Sequence, residues 1–512
     1  MLFIQKIKNT LATFKPLSLL GIFVLSGLFV LSVVALVVRL HSVLLVSVPG
    51  FGGEINEGII GSPRFINPVL AISQSDLDMT ALVYSGLLKS DTDGVVVPDL
   101  AQSYSISEDL LTYTIVLKEN ISFHDGEPVT VDDVLYTVAL VQDEKLGSPK
   151  KIQWEGVKAQ KVDENTVTFT LRQPYPEFLD ILRLGILPKH IWKDLSIEAI
   201  PLSDYNLSPV GTGPYQITNI EKRGGIPNTY LLSAWSGYAL GKPYIDSVTI
   251  HIYPNSDELF KDLEKRSITN VSTLSPQKAS SLQDASDLSI VRTALPRVYG
   301  VFWNQSKNPN LVDANVRAAL ALSIDKKQII TESLYGFGIP ADSPLPFTFT
   351  QTAATSSSVQ IENAVALLEK SGYTKNKDTG FFEKTPGNSS TELSITLTST
   401  GNIPEFEKTA AILKDSWEKL GVRTNIELYE LGDLNQKIIK ERSYSALLYG
   451  TVIQTNADLY AFWHSSQIKE PGLNLSGYAN TKVDAALQKL RVENDPEALE
   501  ETYRTIQGEF AV

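Results

Sequence analysis

The segment Leu393–Leu428 reads LSITLTSTGNIPEFEKTAAILKDSWEKLGVRTNIEL and contains three elements in succession. The residues up to Leu397, and those from Val422 onward, are short runs with the alternation and β-branching typical of strands. Between them, Pro404–Leu420 places apolar side chains at helical spacing and is followed by Gly421, a residue that commonly ends helices. This β-α-β order predicts an α/β fold, in which a mixed or parallel sheet is covered by helices.

The first third of the chain shows the same mixture of elements. Tyr113–Leu117 and Asn165–Leu171 alternate polar and apolar side chains, which predicts two strands. Val131–Val141 has helical spacing and follows Thr130, a residue type that often caps the start of a helix. We therefore expect sheets and helices to alternate through most of the protein.

The 512-residue chain has the composition of a folded protein, with 43% hydrophobic and 20% charged residues and a mean hydropathy of -0.03. At roughly 150 residues per domain, this length corresponds to about three domain-sized units. The net charge of -13 disfavours a nucleic-acid binder, which needs many basic side chains against phosphates. Because the chain contains no cysteine, disulfides, thiolate nucleophiles, zinc–cysteine sites and lipids on cysteine are excluded.

A long apolar run near the N-terminus, Leu17–Val38, predicts a membrane anchor. Its 22 residues span roughly 33 Å as a helix, enough to cross a bilayer. A cleavable signal peptide is the alternative, but its apolar core is usually only about 7–15 residues long. Three lysines precede the run, whereas only Arg39 and His41 follow it closely. The positive-inside rule then places residues 1–50 as a cytoplasmic N-terminus and single-pass anchor in the cell membrane, with the rest extracellular or periplasmic.

The chain lacks the sequence motifs of the common enzyme classes. It has no Gly-x-Ser-x-Gly elbow, no His-Glu-x-x-His, no Walker loop and no Rossmann glycine pattern. Its five histidines, at positions 41, 124, 190, 251 and 464, show no spacing suited to a metal site. The sequence therefore predicts no catalytic residues, no metal site and no cofactor.

A series of short motifs extends over nearly the whole region after the anchor. They are Gly61–Pro63, Asn67–Pro68, VYSGLL at 83–88, PDLA at 98–101, TYT at 112–114, FHDG at 123–126, GTGPY at 211–215, GKPYID at 241–246 and VRAAL at 316–320. In order and spacing they resemble the family 5 extracellular solute-binding proteins, the capture subunits of oligopeptide, dipeptide and nickel ABC importers. Ser85 stands where the family usually has Glu.

The resemblance implies a two-lobed periplasmic-binding-protein-like fold of class II, preceded by the transmembrane helix at about 17–38. Lobe I would comprise residues 51–100 and 206–290, residues 101–205 would form the extra subdomain of peptide-binding members, and residues 291–512 would form lobe II. Family members continue beyond the last predicted helix into a return to lobe I, whereas this sequence ends at Val512. We expect either a fragment or a fold without those last strands.

The resemblance also implies where a ligand would bind. A ligand ammonium sealed from water needs a counter-charge. The family supplies it from an Asp-Pro-Asp segment, and here Asn456 replaces the first Asp, which leaves Asp458 as the candidate. Asp458 is equally well explained as a solvent-facing residue at the start of a helix.

Further candidates come from positions that line the cleft in relatives. Trp303 and Asn304 match an aromatic–Asn strand end, although a core Trp and a turn-capping Asn explain them equally well. Tyr84, Tyr449 and Trp463 are predicted cleft aromatics, with core packing as the alternative. Ser73 and Gln74 are predicted to lie on a first-lobe loop. We assign His124 and Asp125 to a structural turn.

Together these features predict an extracytoplasmic receptor without catalytic activity. It would close by hinge motion on an oligopeptide or similar solute and deliver it to an ABC permease and its ATPase. We expect a monomeric ectodomain. The alternatives are a two-lobed signalling or adhesion receptor and an extracellular hydrolase that uses carboxylates.

Overall fold

The computed structural model describes most of the chain. The described residues are 16–44, 48–92, 94–175, 178–293, 295–345, 360–385, 390–453, 456–470, 472–491, 493 and 495–510. They group into two compact units, Met1–Gly53 with Tyr244–Asp246, and Glu54–Pro243 with Ser247–Val512. The predicted boundaries at 100, 205 and 290 stay predictions.

The first unit contains helix α1, Pro16–Leu44. After the helix, the Gly52 amide donates a hydrogen bond to the Tyr244 carbonyl (2.8 Å), and the rings of Phe51 and Tyr244 lie 4.9 Å apart. Within the described residues, no helix combines the length and the apolarity needed to cross a membrane. The predicted anchor is therefore not confirmed and stays a prediction.

A five-stranded sheet with strand order β11-β1-β10-β9-β8 forms the core of the predicted first lobe. Strand β1 pairs in parallel with β10 and β11, so their carboxyl ends meet at one edge. The elements of this region are β1 (Glu54–Ile60), α2 (Gln74–Val83), β2 (Leu88–Ser90) and β3 (Val96–Pro98), and, after the intervening sheet described next, β8 (Tyr215–Arg223), β9 (Ile226–Ala234), β10 (Ser247–Tyr253), α6 (Ser256–Glu264), β11 (Asn270–Val271) and α7 (Pro276–Ser281).

A separate antiparallel sheet, in the order β4-β5-β7-β6, falls inside the span predicted for the extra subdomain. Its core is aromatic, with Tyr113 edge-on to Phe178 at 4.9 Å and Trp154 near Phe169 at 5.9 Å. The elements here are β4 (Ala101–Ile106), β5 (Thr112–Leu117), α3 (Val131–Gln142), β6 (Lys158–Lys161), β7 (Thr166–Thr170), α4 (Phe178–Ile181) and α5 (Lys189–Trp192). The predicted strands and the helix after Thr130 are confirmed.

The predicted second lobe is built on a four-stranded sheet with strand order β12-β18-β16-β17. Its main elements are β12 (Arg297–Trp303), α8 (Ala314–Leu322), α9 (Ile361–Lys370), β13 (Thr374–Lys375), β14 (Phe382–Lys384), β15 (Thr391–Glu392), β16 (Ser394–Thr400), α10 (Pro404–Leu420), β17 (Arg423–Tyr429), β18 (Ala446–Val452), α11 (Asn456–Trp463), α12 (Thr481–Leu490) and α13 (Pro496–Phe510). Short helical turns complete the described part, at Lys151–Trp154, Ile200–Leu202, Asp204–Asn206, Pro309–Val312, Lys326–Gln328, Ile329–Ser333, Leu431–Asp433, Leu434–Ile439 and Ser465–Gln467.

The β-α-β prediction made from Leu393–Leu428 is confirmed. Strands β16 and β17 are parallel, and α10 connects them. Helix α10 buries Phe406, Leu413, Trp417 and Leu420 against the sheet. It ends at Gly421, whose φ of 107° lies in the left-handed region that favours glycine.

Candidate functional site

The loop between β1 and α2 lies at the carboxyl edge of the first sheet, where ligands bind in open α/β sheets. The buried carboxylate of Asp76 accepts hydrogen bonds from the amides of Arg64 (2.7 Å), Phe65 (2.9 Å) and Ser73 (3.1 Å). Burial acts to raise the pKa of Asp76, but these backbone hydrogen bonds and the Ser73 hydroxyl lower it below its usual value. One carboxylate thus ties the start of the loop to its end.

The predicted residues Ser73 and Gln74 lie at the end of this loop and are exposed. The Ser73 hydroxyl caps α2 by accepting the Asp76 amide at 3.1 Å. The Gln74 side chain donates to Asp78 Oδ1 at 2.7 Å. Next to them, the Ile72 side chain is 69% exposed. These three residues form one small mixed polar and apolar surface.

Tyr84 lies at the opposite end of α2, where it is buried and only 5% exposed. Within the described residues its hydroxyl has no hydrogen-bond partner, and burial raises the pKa of Tyr84. A helix of 10 residues separates it from Ser73 by roughly 15 Å. Its position is that of a core residue, and its ligand role stays a prediction.

Three of the recognised motifs, VYSGLL, GTGPY and FHDG, meet at the C-terminal end of α2. The Gly213 amide donates to the Val83 carbonyl at 2.8 Å, and a Cβ on Gly211 would lie 2.0 Å from that same oxygen. His124 joins the turn by donating its amide to the Gly211 carbonyl (2.8 Å) and accepting the Gly211 amide at Nδ1 (3.3 Å). Burial lowers the pKa of His124, although the Gly213 carbonyl acts to raise it.

Asp125, next to His124, also serves the turn, because its carboxylate accepts the Glu127 amide at 3.2 Å and lies 2.9 Å from His190 Nε2. His124 and Asp125 therefore occupy a structural turn, as the sequence predicts.

In the second lobe, Trp303 and Asn304 occupy the structural positions given as alternatives from the sequence, a core Trp and a turn-capping Asn. Trp303 is half-buried and packs on Trp417, with the ring centroids 5.6 Å apart. The buried Asn304 side chain donates to the Arg442 carbonyl (3.0 Å) and accepts the Ser306 amide (3.1 Å). Asn304 therefore caps a turn.

Of the predicted aromatics of this lobe, Tyr449 and Trp463 pack against one cluster, and Trp303 packs against another. Side chains alternate across a strand, so Trp303 packs with the cluster under α10, whereas Phe302 faces the other side. Trp463 stacks on Phe302 at 6.1 Å, and Tyr449 packs against that same cluster and donates to Asn435 Oδ1 at 3.2 Å. Trp303 and Trp463 thus pack in different hydrophobic layers, and their ligand roles stay predictions.

Asn456 and Asp458 begin helix α11, but their side chains lie outside the described residues. The predicted counter-charge therefore stays a prediction. Among the described residues, no group of three or more His, Cys, Asp or Glu side chains is arranged to hold a metal ion.

Sequence reasoning missed the exposed residues at the carboxyl edge of the second sheet. Strands β16, β17 and β18 all end here, and the antiparallel β12 begins here, with Arg297 opposite Val452. Tyr299 is 46% exposed, lies over Gly450 and accepts a hydrogen bond from Arg297 Nη1 at 3.2 Å. The only signal for this surface was the position of strand ends in a parallel arrangement.

Two polar side chains extend this edge. Asn402, in the loop after β16, donates a hydrogen bond to the carboxylate of Glu430, in the loop after β17. Val452 and Leu428 add exposed apolar surface. Hydroxyl, amide, carboxylate and guanidinium groups are thus mixed with apolar side chains along one rim.

Comparison with known proteins agrees with this architecture. The oligopeptide-binding protein AppA of Bacillus subtilis is 26% identical, over 90% of this chain and 85% of that protein. The structure of the Listeria monocytogenes ABC transporter substrate binding protein CtaP has a TM-score of 0.74 at 28% identity and covers 90% of this chain and 91% of its own. NikZ from Campylobacter jejuni, in complex with Ni(L-His), has a TM-score of 0.68 at 26% identity, with 90% of both chains covered.

Residues 95–470 match the family described as "Bacterial extracellular solute-binding proteins, family 5 Middle". That match covers well over half of the 512 residues. The two-lobed periplasmic-binding-protein-like fold expected from the motifs is supported by these neighbours. The chain belongs to the family 5 bacterial extracellular solute-binding proteins.

Proposed function

We propose that this chain captures an oligopeptide between its two lobes and presents it to an ABC permease. The observation that carries the proposal is the carboxyl rim of the second sheet. Strand β12 is one of the two edge strands of this sheet, so one side of its backbone has no partner among the described strands. A peptide backbone can pair with such a strand whatever its side chains are, while Tyr299 and Val452 offer apolar contact.

The first-lobe surface of Ile72, Ser73 and Gln74 supplies the second wall in this proposal. Closure is a shift between open and closed forms, so affinity comes from contacts that only the closed form makes. The chain acts as a monomer, catalyses no reaction and hands the peptide to a permease driven by an ATPase. Support comes from the family and from relatives whose names refer to oligopeptides.

A pool of random di- to nonapeptides tests the proposal. The full chain, purified in detergent, is incubated with the pool, washed and analysed by native mass spectrometry. Retained intact peptides are the expected result. Cleaved peptides would instead indicate a hydrolase, and a chain that retains no peptide contradicts the proposal.

Tyr299→Ala is expected to weaken peptide binding about 5- to 30-fold, because the loss of a buried aromatic contact costs roughly 1–2 kcal/mol. Titration with a synthetic copy of the most strongly retained peptide measures this change. Ile226→Ala is the matched control, since Ile226 is also exposed but lies at the β8–β9 turn. Equal affinities of wild type and Tyr299→Ala would show that Tyr299 and the rim around it do not contribute to peptide binding.

We further propose that α1 anchors the chain in the cell membrane with its N-terminus in the cytoplasm. The apolar run Leu17–Val38 and the preceding lysines support this. Between Leu20 and Val38, the exposed large apolar side chains have exposed fractions of 42–70%, which is unfavourable in water.

We expect the full chain to stay in the membrane pellet after alkaline carbonate extraction. The double substitution Leu25→Arg and Phe29→Arg should release most of it, because each Arg at a helix centre costs about 2.5–3.5 kcal/mol of insertion. Leu202→Arg, at an exposed site outside α1, is the control and should not change the fractionation. Quantitative extraction of the wild-type chain would contradict the anchor.

A further inference from the structure

The loop 61–73 is buried in its middle, whereas Ser62 and Arg64 near its start and Ile72 and Ser73 at its end are exposed. Ile66, Val69, Leu70 and Ala71 are buried, whereas Ile72 is exposed. The middle is also held by hydrogen bonds, with the Asn67 side chain donating to Asn206 Oδ1 at 3.0 Å. The backbone path of the exposed residues at the end of the loop, Ile72 and Ser73, must be set by other contacts.

The Asp76 carboxylate sets the backbone path of Ile72 and Ser73. Its Oδ1 accepts the Arg64 and Phe65 amides at the start of the loop, and its Oδ2 accepts the Ser73 amide at 3.1 Å and the Ile72 amide at 3.4 Å. All of these donors belong to backbone, so they hold the chain path itself. Ile72 and Ser73 are thereby tied directly to a buried charge in the first turn of α2.

Asp133 provides a comparable buried carboxylate in a different part of the chain. Asp133 is buried in the first turn of α3 and accepts the Thr130 amide (2.8 Å) and the Lys189 amide (2.8 Å). It too bridges a helix start to a distant segment. Its donors, however, lie in the separate sheet region of residues 101–205 and not at the carboxyl edge of β1, β10 and β11.

We propose that Asp76 is a positioning residue for the ligand. It places Ile72, Ser73 and Gln74 at the rim before a ligand arrives, so that binding does not have to order them. This inference rests on the proposed function. Preorganised contacts raise affinity because the cost of ordering is already met in the free protein.

The test compares Asp76→Asn with Asp133→Asn. In each variant the new NH₂ group faces backbone donors, so roughly half of the acceptor capacity is lost. Both variants are expected to lower the urea midpoint of unfolding. For a synthetic copy of the peptide retained most strongly from the random pool, we expect the Kd of Asp76→Asn to rise at least tenfold, whereas Asp133→Asn should stay within twofold of wild type.

Amide hydrogen exchange gives a second readout that general destabilisation does not reproduce. In Asp76→Asn, the Ile72 and Ser73 amides should exchange at least tenfold faster than in wild type and in Asp133→Asn. Asp76→Glu, which keeps the charge but displaces it by one methylene, replaces the Asn variant if that variant does not fold.

The outcomes separate the two proposals. If the wild-type chain retains no peptide, the proposed function fails. If the wild-type chain binds peptide but Asp76→Asn and Asp133→Asn shift the Kd equally, or neither shifts it, the positioning role is overturned while peptide binding stands. Unchanged exchange at Ile72 and Ser73 in Asp76→Asn also overturns it.

Discussion

Gly211→Ala is expected to destabilise the first lobe by about 3 kcal/mol or more, at the upper end of the cost of overpacking. A Cβ at this position would lie 2.0 Å from the Val83 carbonyl oxygen. That oxygen cannot move freely, because it ends α2 and accepts the Gly213 amide at 2.8 Å. Relief of the overlap would break this bond or those between Gly211 and His124, and the loss is large beside a typical stability of about 5–15 kcal/mol.

Urea unfolding followed by circular dichroism measures this loss. Gly432→Ala is the matched control, because a Cβ there meets no atom within 4 Å. Because Gly432 lies in a helical turn, we expect the control to leave stability unchanged or to raise it by up to about 1 kcal/mol. A Gly211→Ala chain as stable as wild type would show that the contact with Val83 is not tight.

Trp417→Ala is expected to cost about 3–5 kcal/mol in the second lobe, the usual range for removing a buried Trp. Its ring is fully buried under α10, contacts Trp303, and donates through Nε1 to the Leu320 carbonyl at 3.2 Å. The substitution therefore leaves a cavity and removes one of the two side-chain hydrogen bonds to the Leu320 carbonyl, the other coming from the Ser323 hydroxyl.

Trp417→Phe is the milder substitution. It loses the Nε1 donor but leaves a smaller cavity than Trp417→Ala, so the expected loss is about 1–2 kcal/mol. Thermal unfolding by circular dichroism should rank the stabilities as wild type, then Trp417→Phe, then Trp417→Ala. A loss below about 1 kcal/mol for Trp417→Ala would be inconsistent with a closely packed core at this point.

Local sequence patterns predicted the architecture well. The β-α-β unit at Leu393–Leu428 and the helix after Thr130 are both confirmed, because hydrophobic periodicity and capping act within a few residues. The glycine motifs were found as a resemblance, and the structure supplies their physical reason, since Gly211 and Gly213 lie where a side chain would meet the backbone of Val83.

The site was harder to predict because it depends on contacts that are distant in sequence. Whether Trp303 or Phe302 faces a given layer depends on the register of β12 against β18, which local patterns do not specify. Asn402 and Glu430 become neighbours only because the parallel strands β16 and β17 end at one edge. An aromatic residue next to a strand end is therefore weak evidence of ligand contact unless the strand pairing is known.

The sheet of the second lobe is covered on both faces, by the layer that contains Trp417 and by the layer that contains Trp463. Its strand ends and the edge of β12 that pairs with no described strand remain available to a guest molecule. Side chains at the strand ends can therefore be changed without disturbing either hydrophobic layer, so ligand selectivity and folding stability can be changed separately. An engineer could graft new loops after β16, β17 and β18 and retune recognition while the scaffold keeps its robustness.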